Sequence, residues 1–319
     1  MSTQSWALNA YLKNFRSMDE NNNSLQHLPF SAVSFMALLC LVWGGNLVSI
    51  KVSNQGIPPI LGAAMRSVFA SAILWIYARW TGRQFFLQRD YLAHGAAIGF
   101  LFAMSFLFLY WGLVFTDVSR SVIFIYTHPF WVAIAAHFVL PNERLTWMKI
   151  GGMFVAFAGL ILAFGAKSST LGPLYWLGDL MVLVSAMFWA ASMVYLKKFI
   201  WNRSITHFET LSAQLLFSIP VLAAGSLILE HHQTLSPGIL VISAFVYQVV
   251  IVAVLSYLLW FWLIHRYPVS RLAAFTFLAP LFGALLGSLL LNETIVFRLY
   301  LGLAFVAGGL YLVNKPEAA

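Results

Sequence analysis

The stretch SRSVIFIYTHP, Ser119 to Pro129, returns in altered form as SRLAAFTFLAP, Ser270 to Pro280, 151 residues further on. Both copies read Ser, Arg, three residues, Phe, four residues, Pro. Serine and arginine suit the interfacial start of a membrane helix. A proline ten residues in then lies about 15 Å deep at 1.5 Å per residue, which is about half of a roughly 30 Å hydrocarbon core. Pro129 and Pro280 are therefore predicted near a bilayer midplane. A proline there frees one carbonyl and kinks the helix, a device used where backbone lines a cavity; packing alone is the other use open to it.

The surroundings are those of a membrane. Hydrophobic residues make up 61% of the 319 and charged ones 9%, where a soluble domain carries about a quarter charged, and the mean hydropathy is +0.84. The net charge of +8 is scattered between apolar runs rather than clustered, so it does not point to nucleic acid. One cysteine, Cys40, excludes an internal disulfide. Ten segments reach the length of about 20 apolar residues that a crossing needs: 31–53, 59–80, 91–116, 118–140, 147–166, 173–199, 205–229, 237–265, 268–291 and 294–313. Connections such as NQGIPP (54–59), PNERLTW (141–147) and SSTLGP (168–173) leave no room for a soluble domain. The polar, Asn-rich residues 1–30 read as a disordered tail with no signal core.

Assigning loops alternately to the two sides puts 13 Lys and Arg on the side of the termini and 4 on the other. The basic excess marks the cytoplasmic face, so both termini are expected in the cytoplasm. The repeat extends beyond the opening stretch. PNERL and LNETI place Glu143 and Glu293 150 residues apart, and glycines follow at the same spacing in each half, Gly152 with Gly159 and Gly302 with Gly309. These glycines are expected to let helices pack closely. Trp43 and Lys51 stand eight apart, as do Trp189 and Lys197. Five spans per half is an odd number, so the second half is expected upside down relative to the first. That is the inverted-repeat plan by which secondary transporters open alternately to each side. The chain thus divides into a tail (1–30), a first repeat (31–166) and a second repeat with a short C-terminal tail (167–319).

The segments SRSVIFIYTHP…LPNERL…GGMFVAFAG and SRLAAFTFLAP…LLNETI…GLAFVAGG, with WGGNLVSIKV in the first span, resemble the EamA branch of the drug/metabolite transporter superfamily. The resemblance covers residues 31 to 313 and departs from the family's common Gly-Glu in having Asn142 and Asn292 before the glutamates. It implies an all-α integral membrane protein of ten transmembrane helices, a multi-pass exporter or exchanger of a small metabolite such as an amino acid, in a bacterial inner membrane.

Cargo should meet the wall near the midplane. Polar groups in lipid are costly unless they face the bundle interior or a wet cavity, which directs Asn46, Gln214 and Gln248 inward, for cargo or for hydrogen bonds between helices. Trp43 and Trp189 occupy comparable places in the two halves, away from the interfacial belt; they either stack on a flat or apolar solute or pack. His128 precedes the first proline where the second half has Ala279, and its imidazole can carry a proton or donate one structural hydrogen bond. Arg66, about 10 Å into the second span, can clamp a carboxylate or pair with Asp179. Glu143 and Glu293 are expected to cap the fifth and tenth spans.

The sequence offers no metal or nucleophile constellation. His231 and His232 read as a solvated loop pair, and His94, His128 and His137 fall on separate faces, without a zinc-type helix motif. No catalytic residue, metal or cofactor is expected. The partners expected are a small-molecule substrate and lipid, not nucleic acid, with the protein a monomer. A membrane-embedded sensor, scaffold or enzyme that retains the fold is the alternative.

Overall fold

In hydrocarbon only the chain's own groups can satisfy a backbone N–H, so an apolar chain closes its hydrogen bonds within helices. The computed structural model describes residues 28–116, 118–141, 143–165, 172–200, 205–230, 235–291 and 297–315. Ten helical spans among them are long and apolar enough to cross a membrane. These are α1 (Phe30–Ser53), α2 (Pro59–Thr81), α3 (Leu92–Gly112), α4a (Val118–Ile125) with α4b (His128–Val139), α5 (Trp147–Phe164), α6 (Tyr175–Ile200), α7 (His207–Leu229), α8 (Ile239–Arg266), α9a (Val269–Phe275) with α9b (Leu278–Leu291), and α10 (Phe297–Asn314). Residues 1–27 of the expected tail lie outside the described residues, as do Asn142, His231, His232, Asn292 and Glu293.

Helix ends follow local chemistry. Pro59 stands in the first turn of α2, where its missing N–H costs nothing, and Gly82 ends that helix with φ 68°. Thr206 opens α7 with a capping box, its hydroxyl accepting from Glu209 N at 3.2 Å while the Glu209 carboxylate accepts from Thr206 N at 2.9 Å. Short connections make each span run against its predecessor. One end of the bundle, here called the near end, therefore holds the start of α1 and the finish of α10. Phe30, Trp80, Phe138 and Trp147 are all strongly exposed at that end, as expected of an aromatic belt at a membrane interface.

The spans are held by close backbone approach rather than by apolar burial, since lipid is as apolar as leucine. A Cβ on Gly152 would stand 2.7 Å from Gly309 O, and one on Gly159 2.7 Å from Gly302 O. The four glycines predicted to pack thus do so on one another, in reciprocal antiparallel pairs between α5 and α10. Gly44 of α1 meets α9b in the same way, with a Cβ placed 2.6 Å from Gly283 N. α3 lies between α6 and α7, α2 packs on α7, and α4b crosses α9a. The middle of α8, Gln248–Ser256, is wound as a π-helix against α1 and α2, a form that recurs at functional sites.

The fourth and ninth spans are each interrupted by a two-residue turn, 126–127 and 276–277, and the helix resumes at 128 or 278. Pro129 and Pro280 stand in the first turn of the resumed helix, where proline is tolerated. The third span also ends earlier than expected, at Gly112 rather than residue 116.

Candidate functional site

Where a membrane helix breaks, the freed backbone groups need new partners. Pro129 cannot donate to Ile125 O, and His128 Nδ1 stands 3.0 Å from that carbonyl. The carbonyl only accepts, so Nδ1 carries the proton. Thr127 donates to Phe124 O at 2.7 Å, and Thr276 Oγ1 stands 2.6 Å from Ala273 O. One threonine thus closes each break, a pair that sequence reasoning passed over. The two breaks also touch, His128 Nε2 lying 3.0 Å from Thr276 Oγ1. That hydroxyl has one proton. A neutral ring receives it, and an imidazolium leaves it to Ala273 O.

Beside this crossing α3, α6, α7 and α8 enclose a cavity of about 20 Å³ lined by Phe102, Trp189, Ser192, Met193, Leu196, Gln214, Tyr257, Trp260 and Phe261. That volume suits about one water. Its walls are rings in contact: Phe102 lies 4.8 Å from Phe106, 6.0 Å from Trp189 and 6.2 Å from Tyr257 between centroids.

Of the residues predicted to meet cargo, Trp189 and Gln214 line this cavity. Trp43 stands behind it, edge-on to Trp260 at 5.3 Å with Nε1 donating to Ser256 Oγ at 3.0 Å. Gln248 ties α8 to α1, its Nε2 donating to Ser53 Oγ at 2.8 Å and Ser49 O at 3.2 Å. Asn46 is half-buried, and its Oδ1 has no hydrogen-bond partner among the described residues. His128 belongs to the helix crossing, 6.5 Å from Trp189.

Arg66 is 2% exposed and lies 4.7 Å over the Phe106 ring. Its Nε and Nη2 have no hydrogen-bond partner among the described residues. A cation–π contact contributes about 2 kcal/mol when desolvated, against an effective desolvation cost of several kcal/mol for a buried ion. The expected pairing with Asp179 does not form. Asp179 instead holds Arg120 through Nε and Nη2 and accepts from Thr116 Oγ1 at 2.7 Å, because the start of α4a sits over the start of α6.

The starts of α9a and α4a lie in different surroundings. At the near end the Glu143 carboxylate accepts from Val269 N at 2.8 Å, Ser270 N at 2.9 Å and Ser270 Oγ at 2.7 Å. It caps α9a, not α5 as the sequence suggested; α5 takes Thr146 as its cap. Lys197 Nζ donates to Ile264 O and to Tyr267 O. Every residue of α9a is buried. At the far end the matching α4a begins with Val118 70% exposed.

The EamA-like transporter family matches residues 30–165 and again residues 176–315. The chain belongs to this family. It is 23% identical over 273 residues to an uncharacterized transporter, YoaV, of Bacillus subtilis strain 168, covering 85% of this chain and 92% of that protein. It is 26% identical over 286 residues to a probable amino-acid metabolite efflux pump of Escherichia coli strain K12, covering 86% of this chain and 92% of that one. A solved crystal structure superimposes with a TM-score of 0.74 at 20% identity, covering 89% of this chain and 98% of its own; it shares the fold. The relatives carry the names of transporters and efflux pumps, not enzymes, and this chain is a multi-pass membrane transporter of the EamA-like family.

Proposed function

We propose that the protein exports or exchanges a small metabolite, an amino acid or a related compound, by alternating access between two inverted five-helix repeats. Residues 31–166 form one repeat and 167–313 the other. Both termini lie in the cytoplasm of a bacterium, so the near end is the cytoplasmic one, and the protein sits in the inner membrane. The observation that carries this reading is the asymmetric treatment of one repeated element. α4a and α9a share a sequence pattern and an interruption, yet every residue of α9a is buried while α4a begins with Val118 70% exposed. Two matching gates in opposite states are what one half-cycle of alternating access requires.

In this reading the conformation is closed to the cytoplasm. Cargo is held beside Trp189 and Gln214, with Arg66 deeper toward the far side. Trp43 and Gln248 support the wall through α1. His128, bonded across the break, positions α4b against α9a. Pro129 and Pro280 keep each gate as a separate half-helix that can move on its own.

Counterflow in proteoliposomes tests the reading. The purified chain should exchange a labelled amino acid or related metabolite across the bilayer against the same solute inside. Chemical conversion without flux would overturn it.

A further inference from the structure

We propose that Arg66 is the anion-binding end of the cargo site, and that the feature recognised is a carboxylate on a flat apolar body, with no requirement for an amino group. This rests on the transporter reading and narrows its substrate class to organic carboxylates. Three observations carry it.

The first is the guanidinium's free edge. Nε and Nη2 of Arg66 are buried without a hydrogen-bond partner among the described residues. The same two nitrogens of Arg120 grip the Asp179 carboxylate, Nε within 3.1 Å and Nη2 closer. That edge matches a planar carboxylate with two parallel bonds, so the chain itself shows the geometry Arg66 would adopt.

The second is the disposition of the protein's own carboxylates. The Glu230 oxygens are taken by Ile60 N at 2.7 Å, Leu61 N at 2.8 Å and Ser226 Oγ at 3.0 Å. Asp179, Glu143 and Glu209 hold Arg120, α9a and the start of α7. None of them lines the cavity. The lining thus offers a cargo ammonium no carboxylate, and the buried charge one ring away, over Phe106, is the Arg66 cation.

The third is position. Phe106, under the guanidinium, contacts Phe102 and Trp189 at 4.8 and 6.1 Å, and both of these line the cavity. The charge therefore stands one ring away from the cavity, on the outer face of Phe106. The corresponding place in the second half is held by the neutral Gln214.

The test is direct binding to the purified full chain, read by tryptophan fluorescence and titration calorimetry, with three probes sharing one body: 3-phenylpropionate, phenylalanine and phenylalaninamide. The anion should bind tightest and the cationic amide weakest, at least tenfold apart. Arg66→Gln should bring the three within about twofold, and Arg66→Lys should keep part of the preference. Equal affinities in the unaltered protein, a preference for the amide, or no binding of any probe would each overturn the proposal. The unaltered protein's ratio decides the matter even where a variant does not fold. Counterflow of the same probes separates the two readings. Charge-selective binding without flux supports the carboxylate site and sinks transport, while flux without charge selectivity sinks the carboxylate site alone.

Discussion

The half-helices α4a and α9a begin with the same Ser-Arg pair and break at matching points, yet they live in different surroundings. α9a has all seven of its residues buried, with its first two amides and the Ser270 hydroxyl on Glu143. The α4a side is tied through Arg120, whose side chain is 35% exposed, to Asp179. A shared local sequence fixes the break, and tertiary partners decide whether the element is sealed in. The sole cysteine offers a reporter of that difference. Cys40 is fully buried on α1, and its thiol donates to Phe275 O at the end of α9a, so its alkylation rate reads the opening of the near end.

The seam between α5 and α10 should be indifferent to the state of either gate, which makes it the control. Gly152→Val places side chain where Gly309 O and Val313 N already stand within 2.8 Å of the point a Cβ would occupy. Backbone cannot yield as a rotamer does, so a loss of about 3 kcal/mol is expected, at the upper end of ordinary overpacking. Thermal unfolding in detergent should show it as a fall of several degrees or more, with Gly302→Val similar. A much milder effect from either one would mean the seam is not the reciprocal contact described.

Glu143→Gln strikes the buried half-helix α9a. It keeps one acceptor oxygen but loses the charge and the second acceptor that α9a uses. Hydrogen bonds to a buried charge contribute about 1.5–3 kcal/mol each, and a net loss of about 2 kcal/mol is roughly thirtyfold in the closed-to-open ratio. Alkylation of Cys40 should accelerate by about that factor. An unchanged rate would break the comparison between the gates.

Much of this is legible in the sequence. Length and hydropathy locate the spans, and the recurring glycines mark which helices touch. Proline marks the breaks but cannot say whether a helix bends there or restarts. Thr127 and Thr276 lie in those turns, and they are hard to pair by eye because they stand 149 residues apart while the surrounding pattern repeats at 151. Glu143 looks like a cap for the nearest helix, because nothing local points to an amide 126 residues away. The cavity lining is hidden for a statistical reason. With 16% of residues aromatic, a mid-span Phe102 or Tyr257 carries no more signal than any lipid-facing ring.

The lysines at matching places sharpen the comparison at a smaller scale. Lys197 is buried on the carbonyls of Ile264 and Tyr267, whereas Lys51 is exposed. Lys197→Met strands two carbonyls, a cost of about 1–2 kcal/mol, and should raise Cys40 alkylation about tenfold. Lys51→Met should leave it within about twofold. Equal responses would show that the two halves are held alike and that burial does not distinguish them.

The smallest effect is expected at the far end. Asp179→Asn removes the charge that Arg120 and Thr116 share, but Arg120 is reachable by water or headgroups, and such ion pairs contribute about 0.2–1 kcal/mol. Unfolding temperature should move by no more than a few degrees, and Cys40 alkylation should stay within about twofold of the unaltered protein. The ranking carries more weight than the size. If Asp179→Asn exposed Cys40 more than Glu143→Gln does, the restraint that keeps α9a buried would run through α4a and α6, and the near end would be held shut from the opposite side of the bundle.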